Sequence, residues 1–574
     1  MKKVAMGCLV ALGGLIAILI LIPIVVIATS GPERNSVLSL DISGEIMEFQ
    51  PDDLISQFTR SQSATVRDYL DAIEKAKHDP KINGIFAKIG WFSFGFATTQ
   101  EFWDKIQDFR ASGKWAVAYM ETAGEFYSGA RPYYLATAFD EIYLSPPGTL
   151  HLVGVRAEVP FIRGTLDKLR IYPDVDHIGK YKSAKNYYTE TGFTEAHRES
   201  TESWVDSIYR QLVKGIAEGR EMTEEEVAEK IDKGPFISQE ALSEGFVDDL
   251  LYYDQARDRV EEKNGGTLPL IKIRQYLKRN RPGSRGSQRI ALIYGVGAVV
   301  RGEGGYDPIS HESYMGSDAI ARALRQARED SGIRAIVLRV NSPGGSYIAS
   351  DVIHREAALA ADEKPFVVSM SDLAASGGYF ISMPADRIIA HPATLTASIG
   401  IVAGKMNTRG FYDMIGITKG IVSRGDHSGF YSSYQNYTDG EREVFQQQLH
   451  RIYEDFITKV AENRDMGIEE VDRIARGRVY TGEQAMDFGL IDEFGGLDDA
   501  ILRAKELAGI EPDEKVRIEV FPPRKTFLQS RLSRDLGLPR SIAVLGKLLR
   551  SLPPELLYEP DPVEMRIPYR LTVE

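Results

Sequence analysis

One cysteine in 574 residues, Cys8, leaves no partner for a disulfide within the chain and no ligand set for a cysteine-based metal centre. Cys8 lies inside an apolar run and reads as a small hydrophobe, not a nucleophile. Basic charge is in deficit, with 69 Lys and Arg against 82 Asp and Glu. The resulting net charge of −13 argues against nucleic acid as a partner, because phosphate binding needs a basic face. Histidine is sparse as well, nine in all. His391 stands before Pro392 as a turn residue, His427 sits in a polar loop, and neither has a catalytic motif around it. A histidine-based triad therefore has little support. The residue pattern implies no metal and no cofactor.

What is present begins at the N-terminus. After Lys2 and Lys3, residues 4–28 carry no charge. As a helix that run is roughly 37 Å long, against a bilayer core of about 30 Å. Residues 1–30 are therefore expected to form a cytoplasmic N-terminus and a transmembrane anchor, with the lysines inside and the rest of the chain on the far side. Ala28-Thr29-Ser30 also fits a signal-peptide cleavage site, but the apolar run is about twice the usual signal-peptide core. Beyond it, 43% hydrophobic and 26% charged residues describe a globular chain, too long for one core.

That globular part is written twice. Ile208-Tyr209-Arg210 and Ala217-Glu218-Gly219-Arg220-Glu221-Met222 return as Ile452-Tyr453-Glu454 and Ala461-Glu462-Asn463-Arg464-Asp465-Met466, at an offset of 244 residues. Gly245-Phe246-Val247-Asp248 likewise returns as Gly489-Leu490-Ile491-Asp492. A period this long marks a duplicated domain, since solenoid repeats run about 20–50 residues. We place the first repeat at 36–260, a linker rich in Gly, Pro and Arg at 261–288, the second repeat at 289–508 and a C-terminal extension at 509–574. The extension holds an amphipathic stretch at 528–552 between two Pro-Pro pairs. In each repeat, strand patterns (37–42, 84–89 and 115–119; 290–294, 335–340 and 365–370) alternate with helical patterns (66–77 and 101–110; 317–329 and 349–361). This alternation predicts an α/β fold with a largely parallel sheet. Helix pairs are expected at 201–231 and 442–476, with Thr223 and Glu226 forming a capping box.

Chemistry concentrates where the repeats differ. In the second, strand 335–340 runs into Asn341-Ser342-Pro343-Gly344-Gly345-Ser346, and the next strand leads to Ala374-Ala375-Ser376-Gly377-Gly378-Tyr379. Glycines at the end of a buried parallel strand can turn backbone N–H groups toward an oxyanion, so Gly344, Gly345 and Gly377 are candidate donors and Ser376 a candidate nucleophile. Ser376 needs a base. Aligning Tyr133-Tyr134-Leu135 with Tyr379-Phe380-Ile381 sets Ala130 opposite Ser376 and Arg131 opposite Gly377. The glycine pair is replaced in the first repeat by Trp91-Phe92-Ser93-Phe94-Gly95. Conversely, Lys182 in Lys180-Tyr181-Lys182-Ser183 faces Asp426 in Arg424-Gly425-Asp426-His427. One repeat keeps the serine and the other the lysine. A lysine titrating near its usual value of about 10.4 is no base at neutral pH, so Lys182 requires a dry pocket.

Taken together, Gly179-Lys180-Tyr181-Lys182-Ser183-Ala184, Asn341-Ser342-Pro343-Gly344-Gly345-Ser346, Ala374-Ala375-Ser376-Gly377-Gly378-Tyr379 and Ala397-Ser398-Ile399-Gly400-Ile401 resemble the signal peptide peptidase A (protease IV) family in its long, duplicated bacterial form. The likeness runs from the anchor through the second repeat. It implies tandem crotonase/Clp-protease-like domains, a Ser/Lys dyad of Ser376 and Lys182, and a role for Ser398 in positioning the lysine. It further implies peptide substrates left from signal peptides, a bacterial inner-membrane location with single-pass anchoring in lipid, and assembly as a homotetramer. Ala397 departs from the glycine of the family's Thr-Gly-Ser-Ile-Gly pattern. Two other readings stay open on the residues: a crotonase-type acyl-CoA enzyme using the same glycines, and an inert membrane scaffold.

Overall fold

The computed structural model describes residues 32–49, 64–125, 127–278, 281–307, 312–522 and 563–566. The expected anchor at 1–30 and the amphipathic stretch at 528–552 lie outside the described residues. Among the described residues no helix is long and apolar enough to cross a membrane.

Each repeat is built on a parallel sheet, and the two sheets have the same strand order. The first runs Asp249–Leu250, Glu141–Leu144, Trp115–Met120, Ile82–Phe92, Ser36–Gly44, Leu270–Lys272. The second runs Glu493–Phe494, Arg387–Ala390, Phe366–Ala375, Ile333–Ser342, Gln288–Val296, Val516–Phe521. Their central strands read as near-continuous apolar runs because helices cover both faces. Strands Leu395–Ala397 and Val479–Thr481 extend the second sheet beside Phe366–Ala375. The stretch 261–288, expected as a linker, supplies the edge strand Leu270–Lys272, and the C-terminal extension supplies its counterpart Val516–Phe521. A three-residue edge strand carries too little alternation to be seen in sequence.

Buried detail repeats along with the topology. Tyr133 Oη donates to Phe246 O at 2.7 Å, and Tyr379 Oη donates to Leu490 O at 3.0 Å. Arg220 pairs with Asp248 at 2.8 Å, Arg464 with Asp492 at 2.7 Å, and each aspartate accepts a strand amide, from Ile142 or Ile388. The helix pairs appear as Glu195–Arg220 with Glu224–Ile231 and Asp439–Arg464 with Ile468–Ile474. Thr223 and Glu226 form the expected capping box.

The repeats are fused, not strung together. The first hydrophobic core, around Leu40, Ile85, Phe102 and Trp204, takes in Ala375, Leu395 and Val479 of the second repeat. Asp372 of the second repeat accepts from Gly95 N at 2.7 Å and Thr98 N at 2.8 Å, so it serves the N-terminus of Phe96–Ala111, where no local side chain caps. A third sheet crosses between repeats: Tyr172–Ile178 pairs antiparallel with Ile401–Asn407, Ile178 opposite Ile401. This crossing decides where the lysine goes.

Candidate active site

Ser376 stands between the strand Phe366–Ala375 and the short helix Gly377–Ser382. Its φ of 56° lies in the left-handed region, which costs a non-glycine residue of order 1–3 kcal/mol. The turn is pinned by Ser376 N donating to Ala397 O at 2.7 Å. Ala397 and Ser398 also have positive φ, 62° and 53°. The Ala397 position is thus one that suits glycine, which accounts for the glycine of the family pattern.

Lys182 arrives four residues after Tyr172–Ile178, the first-repeat strand that pairs with Ile401–Asn407 of the second repeat in the third sheet. Its Nζ lies 2.7 Å from Ser376 Oγ, 2.8 Å from Ser398 O and 3.0 Å from Ser398 Oγ. Both Lys182 and Ser376 are fully buried. Burial alone pushes the Lys182 ammonium down to about 7. A neutral amine has two hydrogens and one lone pair. With the hydrogens donated to the two oxygens of Ser398, the lone pair faces Ser376 Oγ, where it can take a proton.

The loop that carries Lys182 is held by backbone contact. Tyr181 N donates to Arg476 O at 2.7 Å, and Gly477 N donates to Ile399 O at 2.7 Å. A Cβ on Gly179 would lie 2.5 Å from Arg476 C, and one on Gly477 would lie 2.4 Å from Lys182 N. Arg476 and Gly477 carried no motif in the sequence; their only signal was a glycine. Gly477→Ala, at a φ of +81°, is expected to push Lys182 off Ser376 and lower kcat/KM by about 100-fold, the usual penalty for an ångström of misplacement. Steady-state kinetics beside a thermal melt measure it, and a variant with unchanged kcat/KM would sever Gly477 from the site.

The three candidate glycines lie close together. A Cβ on Gly377 would lie 3.1 Å from both Gly344 Cα and Gly345 N. Gly344 N donates to Ser342 Oγ at 3.2 Å. In the first repeat the corresponding turn is filled. Phe94 stacks on Phe92 and Phe102, with ring centroids 4.1 and 4.9 Å apart, and Arg131 donates to Phe94 O. His391 is buried and pushed down to about 4, 3.6 Å from Asp104, and His427 is exposed; neither joins the cluster. Among the described residues no group of three or more His, Cys, Asp or Glu could hold a metal ion.

The profile of Peptidase family S49 matches residues 108–266 and 358–511, one span in each repeat. Serine protease SPPA, chloroplastic, from Arabidopsis thaliana is 31% identical over 532 residues, covering 91% of this chain and 76% of that protein. Protease 4 of Salmonella typhi is 32% identical over 511 residues, covering 86% and 79%. Protease 4 of Haemophilus influenzae is 30% identical over 522 residues, covering 84% and 82%. A ClpP1 mutant from Listeria monocytogenes aligns in structure at 18% identity and a TM-score of 0.24, over 37% of this chain and 94% of that one.

Proposed function

Since the chain belongs to peptidase family S49 and is a serine protease, we propose that it hydrolyses peptides with a dyad split between its repeats, Ser376 as nucleophile and Lys182 as general base. The observation that carries this reading is the 2.7 Å separation of Nζ and Oγ in a pocket where burial brings the amine's titration down to about 7. Ser376 Oγ attacks the scissile carbonyl as its proton passes to Lys182 Nζ. The oxyanion is taken by the backbone N–H groups of Gly377 and Gly345, whereas the Gly344 N–H is engaged by Ser342 Oγ. Collapse expels the amine, which leaves with the proton from Lys182. Lys182 then deprotonates a water that frees the acyl group and restores Ser376. Ser398 aims the lysine through its carbonyl and hydroxyl.

The rest of the proposal concerns setting. The fold is of the crotonase/Clp-protease type, in tandem. The uncharged run at 4–28 anchors the chain once in a bacterial cytoplasmic membrane, with both repeats on the extracytoplasmic side. The substrates are apolar remnants of signal peptides, and the working form is a homotetramer. The acyl-CoA reading calls for a carboxylate at the reacting centre, and none bonds to Ser376 or Lys182 among the described residues.

Hydrolysis of a signal-peptide-like substrate by the detergent-solubilised chain tests the reading. Ser376→Ala should be inactive while folded. In the wild type, kcat/KM should rise about tenfold per pH unit below 7 and level off above it, because the base acts only once deprotonated. A folded Ser376→Ala that still cleaves removes the mechanism, and a plateau reached only near pH 10 removes the pre-neutralised lysine.

A further inference from the structure

The strand that delivers Lys182 carries charge on the face it buries. Tyr172–Ile178 pairs with Ile401–Asn407 so that Asp174 stands opposite Lys405, Asp176 opposite Ala403 and Ile178 opposite Ile401. Residues two apart on a strand share a face, which puts both aspartates beside Ile178, Ile401 and Ala403, against the core of the second repeat. Asp174 is buried there. Carboxylates in such a place are costly unless each is paired.

Both are paired, and by one element of the second repeat. Helix Asp439–Arg464 sends Arg442 to Asp174 and Gln446 to Asp176. Tyr437 N, just ahead of that helix, donates to Asp174 at 2.8 Å. Arg442 and Gln446 are about 6 Å apart along the helix, and Asp174 and Asp176 about 6.6 Å apart along the strand. The spacings match, so strand and helix fit in a single register. A slip of two residues strands one aspartate, and a slip of one turns both away. Asp176 has a further tie to Lys185, 3.8 Å away, so the same carboxylate holds the loop that carries Lys182 from both ends.

Register is what the dyad needs. Four residues lead from Ile178 to Lys182, with Gly179 pressed on Arg476 between them. A strand advances about 3.3 Å per residue, more than the 2.7 Å from Lys182 Nζ to Ser376 Oγ.

We propose that Asp174 and Asp176 are positioning residues for the catalytic base: held by Arg442, Gln446 and the Tyr437 amide, they fix the register of Tyr172–Ile178 and through it the reach of Lys182 to Ser376. The inference rests on the dyad reading above and adds the device that assembles the dyad across the repeats.

Full-length wild type, Lys182→Ala, Asp174→Ala, Asp174→Asn and Gln446→Leu decide it, with a thermal melt beside the kinetics of each. Asp174→Ala is expected to lower kcat about 100-fold with KM unchanged, since Ser376 and the glycine turn belong to the other repeat. Its activity should level off well above pH 7, because a lysine drawn toward water titrates closer to about 10.4. Asp174→Asn still accepts from Tyr437 N and Arg442 and should stay within about fivefold of wild type, the rate equivalent of one weakened hydrogen bond. Suppose Lys182→Ala is inactive, so that the dyad stands. A folded Asp174→Ala with wild-type kcat, or with a lowered kcat whose plateau is still reached near pH 7, then overturns the inference alone. An active Lys182→Ala overturns the dyad and this inference together. If Asp174→Ala does not fold, Gln446→Leu decides: a lower kcat with a raised plateau supports the inference, and wild-type kinetics overturn it.

Discussion

Lys182→Met is expected to inactivate the enzyme and, in the same protein, to raise its resistance to unfolding. Activity should fall by at least about 1,000-fold, the scale on which loss of one member of a nucleophile–base pair is felt. Stability moves the other way because of what burial does to the amine. In the folded chain Lys182 titrates at about 7; in the unfolded chain it returns to about 10.4. Between those values the unfolded state holds a proton that the folded state has lost, so the wild type gains stability as pH rises across that window. The penalty is therefore complete at pH 7 and below, and gone above about 10.4. At pH 7 it amounts to roughly 4 kcal/mol, of which the variant recovers about half after leaving the two Ser398 oxygens without their donor. Denaturant melts at pH 7 and pH 10 measure the gain, which should shrink at the higher pH. An equal gain at both pH values would show that burial does not hold the lysine neutral. Lys182→Arg is the contrasting variant. Its guanidinium cannot give up the proton, so both activity and stability should drop.

The site was legible in pieces, and for different reasons. Ser376 could be read from local pattern: two buried strands in succession, each ending in small residues. Lys182 could not be read locally, since it lies among Lys180 and Lys185; it stood out only against Asp426 in the register of the repeat. The means of bringing the two together left no trace in the sequence. Tyr172–Ile178 reads Tyr-Pro-Asp-Val-Asp-His-Ile, a polar strand whose partner lies more than two hundred residues away. Nothing in its pattern names Ile401–Asn407, because pairing is settled by the docking of whole repeats. The same holds for Asp372, an acidic residue in an apolar strand that serves a helix in the other repeat. Gly477 shows the converse limit. A glycine in a loop announces freedom of backbone, whereas here what counts is the absence of a Cβ against Lys182. Parallel strands with helices between them emerged well because their apolar runs are long; the edge strands that close each sheet are too short to declare themselves.

Because the dyad is divided, anything that loosens the two repeats should separate Ser376 from Lys182, and Arg339 is the side chain where that loosening would cost most. Arg339 is fully buried in the second repeat and binds two carboxylates of the first, Glu48 at 2.5 Å and Glu101 at 2.5 Å. Its guanidinium also donates to Ser369 Oγ at 2.8 Å and Ser371 Oγ at 3.3 Å. Ser371 Oγ donates in turn to Glu48 at 3.0 Å, and Glu101 accepts from Leu497 N at 2.6 Å. Arg339→Met keeps the volume and removes the cation, leaving two carboxylates facing each other away from water. The expected loss is about 3–5 kcal/mol, the cost of stranding a buried charge. Burial already pushes the Glu48 carboxyl up against the pull of Arg339. Without that pull it should rise further, so the folded variant holds protons that the unfolded chain releases. The variant is then least stable at high pH and recovers as pH falls toward 5, a dependence steeper than that of the wild type, whose Glu48 is already raised by burial. Melts at pH 5 and pH 8 test this, alongside the triple variant Arg339→Met, Glu48→Gln, Glu101→Gln, in which no charge is stranded. If the triple variant melts with the single one, the loss comes from packing and not from charge. If it recovers most of the stability and the activity with it, the ion cluster is a device for repeat register, and the catalytic pair depends on it across the interface.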